Sequence, residues 1–254
     1  MEDLVLYFSL KYEGDFEKIY KALLHKERIN EALKHDLFRK LEESKIQYTT
    51  IFSDDYPKCL KSIACPPFVL YYQGNLRLIN EKTICVVGTR KPTDYGIRVT
   101  KKITQELIDN NYVIVNGVGE GVEYTAIETV MNSNGRAIGV VGNGIETFYP
   151  KCNNKAETYL KKNLNGLIIS EIPFDKKVSK KNLDFRKRLI SSLSDEILIT
   201  EAKENSDVMK NVYFGLEQGK DVYCVSSQYD SEFNGCNRLI EQGAYIYMGI
   251  DSLK

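Results

Sequence analysis

The sequence predicts an α/β fold: a doubly wound, Rossmann-like, mostly parallel sheet with a small helical N-terminal unit. From residue 83 onward, short and nearly continuous apolar runs alternate with amphipathic stretches, as in a parallel sheet covered by helices on both faces. Glycine-bearing segments follow the first three of these runs. Residues 1–45 instead carry apolar side chains at helical spacing, which predicts two or three helices with a break at Gly14-Asp15.

The segment that joins the helical unit to the sheet is irregular and rich in proline. Pro66-Pro67 precedes an alternating apolar run at residues 68–72, which we interpret as a linker leading into an edge strand. We therefore divide the chain into a helical N-terminal unit, residues 1–50, and a Rossmann-like domain, residues 51–254.

Strands and helices then alternate to the end of the sequence. The predicted strands cover residues 84–88, 112–115, 137–141, 167–169, 197–199, 222–225 and 245–248. The predicted helices cover residues 95–110, 122–131, 155–162, 185–193, 208–218 and 237–242. In a sheet of this kind, ligands bind beyond the carboxyl ends of the strands.

Three glycine-bearing loops follow predicted strands. They are Gly88-Thr89-Arg90, Asn116-Gly117-Val118-Gly119-Glu120-Gly121 and Gly142-Asn143-Gly144. Where a Cβ is missing, backbone N–H groups approach an anion closely. Together the three loops predict a ligand crevice at this edge of the sheet.

Basic residues accompany these loops. Arg90 follows a strand-end glycine, Lys151 follows Tyr149-Pro150, and Arg186-Lys187-Arg188 begins an amphipathic stretch. An arginine grips phosphate with two hydrogen bonds, and a lysine acts as a point charge. The alternative interpretation is that each side chain pairs with a surface carboxylate or belongs to a solvated helix start.

Two carboxylates also stand at strand ends, Glu171 and Glu201. Such groups accept hydrogen bonds from ribose hydroxyls or from the N–H groups of loops. A carboxylate-dependent hydrolase also requires a pair of carboxylates. No nucleophile–base pair accompanies them, so we expect no catalysis.

The balanced net charge hides an uneven distribution. Lys+Arg and Asp+Glu both total 35, yet residues 151–190 hold eleven basic and four acidic residues, a local charge of +7. Residues 191–254 carry −6 and residues 1–150 carry −1. The basic stretch is suited to attract phosphates, the alternative being a solvated basic surface.

Several classes of site are disfavoured, and we expect no metal and no cofactor. His25 and His35, the only histidines, fall in the helical N-terminal stretch, which argues against histidine zinc sites and histidine-activated nucleophiles. The six cysteines form no C-x-x-C pair, which predicts reduced structural thiols. The loop Gly117-Val118-Gly119 lacks the third glycine of a dinucleotide fingerprint, and no phosphate-binding P-loop motif occurs.

No segment predicts a contact with membranes. No apolar run approaches the roughly 20 residues of a membrane-spanning helix. The start, Met1-Glu2-Asp3-Leu4, lacks the basic-then-apolar order of a signal peptide, so we expect a cytoplasmic location.

The order of these motifs resembles the DprA/Smf family of DNA-processing proteins over about residues 55–245. Its G-[ST]-R loop, Y-P segment, S-E pair and G-[TC]-N-x-L-I-x-x-G-A segment all find counterparts. The matching segments are Tyr56-Pro57, Pro66-Pro67, Gly74-Asn75, Gly88-Thr89-Arg90, Tyr95-Gly96, Gly142-Asn143-Gly144, Tyr149-Pro150-Lys151, Ser170-Glu171, Asn182 with Arg186 and Arg188, Glu201-Ala202 and Gly235-Cys236-Asn237.

The resemblance implies a homodimer that binds single-stranded DNA without sequence preference, helps to load a RecA-type recombinase and performs no chemistry itself. It implies phosphate contacts at Arg90, Lys151, Arg186 and Arg188. With the loops added, the candidate nucleic-acid contacts are Gly88, Thr89, Arg90, Asn116, Gly117, Gly119, Gly142, Asn143, Gly144, Lys151, Arg186 and Arg188. The candidate pocket-lining residues are Glu120, Ser170, Glu171, Glu201 and Asn237.

The sequence departs from the family pattern near the expected pocket. Glu120 replaces a frequent basic residue, Ile127 replaces a histidine, Ser226-Ser227 replaces a proline-glycine pair, and residues 206–211 differ from S-G-S-L-[IV]-T by placing Asp207 at its glycine. We expect these changes to bring a negative charge and bulk into or near the pocket.

Two other functions stay open. One is a nucleotide-binding or nucleotide-cleaving enzyme of the lysine-decarboxylase-like phosphoribohydrolase type, whose P-G-G-x-G-T-x-x-E motif is absent. The other is a diverged structural subunit without DNA binding.

Overall fold

Helices come first along the chain, and strands and helices alternate after them. The structure is a computed structural model that describes residues 1–150, 153–228 and 231–253. Its helices are α1 (Glu2–Lys11), α2 (Phe16–Leu24), α3 (Glu31–Ser44), α4 (Lys58–Lys61), α5 (Asp94–Asp109), α6 (Val122–Asn132), α7 (Asn154–Lys162), α8 (Lys180–Phe185), α9 (Lys187–Ser192), α10 (Met209–Glu217) and α11 (Gly235–Glu241). Its strands are β1 (Gln47–Thr50), β2 (Val69–Gly74), β3 (Thr83–Val87), β4 (Val113–Asn116), β5 (Arg136–Val140), β6 (Gly166–Ser170), β7 (Glu196–Ile199), β8 (Asp221–Cys224) and β9 (Tyr245–Ile246).

The N-terminal unit consists of three helices, as predicted. Asp15 and Asn30 cap the N-termini of α2 and α3, because each side chain accepts a hydrogen bond from a backbone N–H of the first turn. Tyr7 and Phe8 form a small core of their own with residues of α2. The hydroxyl of Tyr71, on β2, donates to Ser9 Oγ at 2.9 Å and joins the unit to the sheet.

The sheet has the order β1-β2-β6-β5-β4-β3-β7-β8-β9 in the described residues. All neighbours from β6 to β9 are parallel, whereas β2 pairs antiparallel with both β1 and β6. The prediction of a Rossmann-like, mostly parallel sheet is confirmed. The prediction that residues 68–72 form an edge strand is wrong, because β1 pairs with the outer side of β2 and becomes the edge itself.

Each central strand is buried on both faces, which explains its continuous apolar sequence. On β3, Ile84 and Val86 belong to the core beneath α1, α5, α6 and α7, and Cys85 and Val87 belong to the core beneath α4, α9, α10 and α11. Ile127 is fully buried in the first of these cores. The expectation that Ile127 adds bulk in or near a ligand pocket is therefore corrected.

The chain changes direction across the sheet at β3. From β3 the strands β4, β5 and β6 are added on one side, and β7, β8 and β9 are then added on the other side. Ligands bind at such a switch point because the loops leaving neighbouring strands diverge there. None of the helices in the described ranges is long and apolar enough to cross a membrane.

Candidate functional site

A crevice of about 270 Å³ lies beyond the carboxyl ends of β3, β4, β5 and β7. We call it the crevice throughout. Part of its wall comes from the segment that joins β6 to β7, which contains α8 and α9. Its described lining residues are Gly88, Thr89, Arg90, Gly119, Glu120, Glu123, Tyr149, Pro150, Leu183, Arg186, Lys187, Ser206, Asp207, Val208 and Asn211.

The loop after β3 is held by Glu201 from the end of β7. The Glu201 carboxylate accepts hydrogen bonds from the backbone N–H of Thr93 at 2.8 Å and from its hydroxyl at 2.6 Å, and its carbonyl accepts from Thr89 N at 2.8 Å. Glu201 is thus a loop anchor, and it does not line the crevice. The anchored loop presents Arg90, whose side chain is 64% exposed.

Hydrogen bonds from the Asn116 side chain hold the loop after β4 in its conformation. Its fully buried amide donates to Glu123 O at 3.1 Å and accepts from Val118 N at 2.9 Å. The Glu123 carboxylate accepts from Gly119 N at 2.7 Å. Gly119 and Glu120 therefore line the crevice, whereas Asn116 supports the loop from the core.

Arg186 lies at the inner wall of the crevice, at the junction of α8 and α9. Its guanidinium packs against the backbone of Gly117, where a Cβ would lie 2.4 Å from Nη2. The residue is 9% exposed, and its Nε has no hydrogen-bond partner. Burial lowers the pKa of Arg186, and the charge of Glu123 acts in the opposite direction. Arg186 is a buried cation with unused hydrogen-bonding capacity beside an open space.

A network of charges connects Lys187 and Asp207, which line the crevice, with Asp184 and Lys210. Lys187 Nζ donates to the backbone carbonyl of Asp207 at 2.7 Å, and burial lowers the pKa of Lys187. The Asp207 carboxylate lies 3.5 Å from Arg90 Nη2 and 3.6 Å from Lys210 Nζ. Asp184 binds Lys210 at 2.6 Å and lies 3.7 Å from Lys187.

Arg188 does not reach the crevice, which corrects its assignment as a phosphate contact. Its side chain is 2% exposed and forms a bidentate ion pair with Glu171, at 2.6 and 2.5 Å. Its Nε and Nη2 also donate to the carbonyl of Cys65, and its guanidinium lies 3.7 Å from the centre of the Phe185 ring. These contacts occupy both members of the pair, and Glu171 is not among the residues that line the crevice.

The third glycine loop is also closed to ligands. Asn143 is fully buried, and its carbonyl accepts from Ser170 Oγ at 2.7 Å. A Cβ at Gly142 would lie 2.9 Å from the carbonyl oxygen of Asn182, and one at Gly144 would lie 2.1 Å from that of Phe174. These glycines allow the segment after β6 to pack on the loop, so the predicted roles of Gly142, Asn143, Gly144 and Ser170 in contacting a ligand or lining its pocket are corrected.

The two remaining candidates are placed differently. Asn237 exchanges hydrogen bonds with the backbone N–H and carbonyl of Ser227, each at 3.0 Å, and does not line the crevice. Lys151 lies outside the described residues, although Tyr149 and Pro150 directly before it line the crevice.

Several lining residues were missed by sequence reasoning. Glu123, Ser206 and Asn211 follow the loops at helix starts, and Ser206 Oγ and Asn211 Nδ2 are buried atoms with no hydrogen-bond partner. Asp207 was noted only as a departure from a motif. With these residues included, the described lining holds three cations and three carboxylates: Arg90, Arg186, Lys187, Glu120, Glu123 and Asp207. No group of three or more His, Cys, Asp or Glu side chains that could hold a metal ion occurs in the described residues, the crevice included.

Comparison with known proteins identifies the family of this chain. The family model described as DNA recombination-mediator protein A matches residues 47–254. The chain belongs to this family. The resemblance to the DprA/Smf proteins is thereby confirmed.

Relatives within the DNA recombination-mediator family are identical to this chain at about a third of the aligned positions. DNA processing protein DprA of Bacillus subtilis is 35% identical over 204 residues, which cover 80% of this chain and 68% of that protein. Protein Smf of Synechocystis is 34% identical over 212 residues, which cover 82% of this chain and 53% of that protein.

Two solved structures of the family have the same fold. DprA from Streptococcus pneumoniae superposes with a TM-score of 0.78 at 25% identity, covering 98% of this chain and 91% of that chain. DNA processing protein A from Helicobacter pylori superposes with a TM-score of 0.73 at 30% identity, covering 82% of this chain and 94% of that chain. The Helicobacter structure was described for its single-stranded DNA binding mode.

Proposed function

We propose that this chain binds single-stranded DNA in the crevice, through phosphates and without sequence preference, and that it acts as a recombination mediator. The observation that carries the proposal is the crevice itself, where an exposed Arg90 and a buried, incompletely bonded Arg186 stand on different loops at the switch point of the sheet. An anionic strand supplies the oxygen acceptors that both guanidinium groups use. Membership of the family, and the DNA-binding relative from Helicobacter pylori, support the same ligand.

The contacts that we propose are fewer than the sequence predicted. Arg90 at the mouth of the crevice and Lys151 beside Tyr149-Pro150 contact phosphates, and Arg186 contributes charge from the inner wall. Gly88, Thr89 and Gly119 allow the backbone to approach the strand, whereas Gly117 is covered by the Arg186 guanidinium and does not line the crevice. Arg188 is excluded because the Glu171 carboxylate already binds it.

We also propose that the protein performs no chemistry on nucleotides. The two strand-end carboxylates that a hydrolase would use are both engaged: Glu171 binds Arg188, and Glu201 binds Thr93. Neither lines the crevice. Incubation with nucleotides and oligonucleotides, followed by chromatography, tests this point. Release of base or phosphate that disappears on substitution of Glu171 or Glu201 would overturn it.

We further propose a cytoplasmic homodimer that loads a RecA-type recombinase on the bound strand. The dimer surface that we propose is the edge of the sheet at β9, the last strand in the order. Apolar side chains are exposed there, with Ile246 45% and Met248 84% accessible. Exposed sheet edges with apolar side chains are sites of association in proteins.

Titration of the full chain with a fluorescent oligo-dT over a salt series tests the DNA-binding function. We expect log affinity to fall linearly with log salt, and steeply between roughly 50 and 200 mM, because each neutralised phosphate releases a counterion. No detectable binding at the low-salt end, or an affinity that ignores salt, would contradict the proposal.

A further inference from the structure

The Asp207 carboxylate lines the crevice and lies near cations of two different elements. Its Oδ2 lies 3.5 Å from Nη2 of Arg90 on the loop after β3, and its Oδ1 lies 3.6 Å from Nζ of Lys210 on α10. A bridging phosphate of a bound strand would make the same kind of contact, one anionic group between two cations.

The backbone of Asp207 is fixed in this position. Lys187, which is only 8% exposed, donates from Nζ to the Asp207 carbonyl at 2.7 Å. The Lys187 ammonium also lies 3.7 Å from Asp184, so the donor is itself held in place. The carboxylate is therefore kept in the lining of the crevice, while its side chain is 47% exposed.

We propose that Asp207 is an internal competitor for the DNA phosphate on Arg90, and that it sets the affinity of the crevice. This inference rests on the proposed DNA-binding function. The side chains of Arg90 and Asp207 are 64% and 47% exposed. Exposed ion pairs are weak because water and salt screen them. A strand can consequently displace the carboxylate, but it binds less tightly than it would bind a free Arg90.

Competition through Arg90 makes a prediction that a general charge effect does not make. A carboxylate that only repels DNA would act equally whether or not Arg90 is present. A carboxylate that occupies Arg90 loses most of its effect when the guanidinium is removed. The double-mutant cycle between the two residues therefore separates the two mechanisms.

The experiment compares Asp207→Asn with the parent in oligo-dT titrations at one low salt concentration. Asn keeps the shape of the side chain and removes its charge, so we expect binding to tighten about twofold to fivefold. Glu120→Gln is the matched control, since Glu120 lines the same crevice, carries the same charge and forms no ion pair with Arg90 among the described contacts. We expect a smaller gain from Glu120→Gln.

The second half of the cycle repeats Asp207→Asn in an Arg90→Ala background, with circular dichroism to verify that every variant is folded. We expect the gain to fall to the size seen for Glu120→Gln. An Asp207→Asn protein that binds like the parent or more weakly, or a gain that persists undiminished without Arg90, would overturn the competitor role while leaving DNA binding intact. If the parent does not bind oligo-dT at all, the proposed function fails and this inference fails with it.

Discussion

The ion pair between Arg188 and Glu171 is buried, so removal of one partner leaves an unpaired charge inside the protein. Their side chains are 2% and 11% exposed. We expect Arg188→Met to lower the free energy of unfolding by about 3–5 kcal/mol, the usual cost of breaking such a pair. Urea denaturation followed by circular dichroism measures this loss. Exposed Arg90→Ala is the control, for which we expect a change within about 0.5 kcal/mol.

The double variant Arg188→Met/Glu171→Leu tests why Arg188→Met loses stability. It distinguishes the cost of leaving the Glu171 charge buried and unpaired from the loss of the contact between the two side chains. Without either charge, most of the stability should return, because an apolar pair of similar volume is often neutral or better than an ion pair. An Arg188→Met protein as stable as the parent would show that Arg188 is not buried against Glu171.

Two features require glycine at position 121, where the loop after β4 ends. Its φ is +72°, and a Cβ there would lie 2.3 Å from the carbonyl oxygen of Thr89. Gly219 has a similar φ of +69°, with no atom within 4 Å of its Cβ position. We expect Gly219→Ala to cost about 1 kcal/mol of stability from backbone strain alone, and Gly121→Ala to cost clearly more because the β3 loop must also move.

Urea midpoints of the two glycine variants, with oligo-dT affinity beside them, test this difference. Since the β3 loop carries Arg90, Gly121→Ala should also weaken DNA binding, whereas Gly219→Ala should leave it unchanged. Equal losses of stability in the two variants would contradict the close approach of Gly121 to Thr89.

Neighbouring residues of one helical segment show what the sequence leaves open about the site. Arg186, Lys187 and Arg188 form one basic cluster in the sequence, but successive side chains of a helix point in different directions. Arg186 lines the crevice, Lys187 binds the backbone of Asp207, and Arg188 is buried on Glu171. The role of Arg188 depends on partners that are distant in the sequence, Glu171 and the carbonyl of Cys65.

At the scale of elements, we expect the β9 edge to carry the homodimer contact. Ile246→Lys places a charge on this edge, so it should convert the dimer to a monomer in light scattering coupled to size-exclusion chromatography. Leu164→Lys is the control, because Leu164 is 83% exposed and lies between α7 and β6. A parent protein that is monomeric, or an Ile246→Lys protein that stays dimeric, would contradict this surface.

The elements that the sequence predicted well are those with a pattern of their own. The apolar runs of β3 to β8 and the amphipathic helices between them were found within a few residues. The strand β1 was missed because Gln47–Thr50 buries only its last two residues and depends on pairing with β2. The helix predicted at 185–193 corresponds to α9, whereas α8, which precedes it at Lys180–Phe185, was not predicted.

Loops could be predicted only as far as their local sequence determines them. Glycine after a strand correctly located the crevice wall at Gly88 and Gly119. The same signal was misleading at Gly142 and Gly144, which are covered by the segment after β6. That covering is a long-range packing contact, and the glycine pattern of a loop is the same whether a ligand or a protein backbone approaches it.

At the scale of the whole molecule, the charge asymmetry of the sequence is not concentrated in the crevice. The segment 151–190 carries +7, yet among its described residues only Arg186 and Lys187 add charge to the lining, and three carboxylates balance the three cations there. We therefore expect the affinity to depend on a few placed contacts rather than on a broad positive field. Each such contact adds about one unit to the salt slope.

The most direct measurement compares four proteins with one oligo-dT over a salt series: the parent, Arg90→Ala, Lys151→Ala and Glu120→Lys. We expect each alanine variant to bind more weakly, with a salt slope smaller by about one unit, since each loses one phosphate contact. Glu120→Lys should bind more tightly with a steeper slope, because attraction replaces repulsion in the crevice. If the alanine variants are folded by circular dichroism and still bind as the parent does, the crevice is not the DNA site.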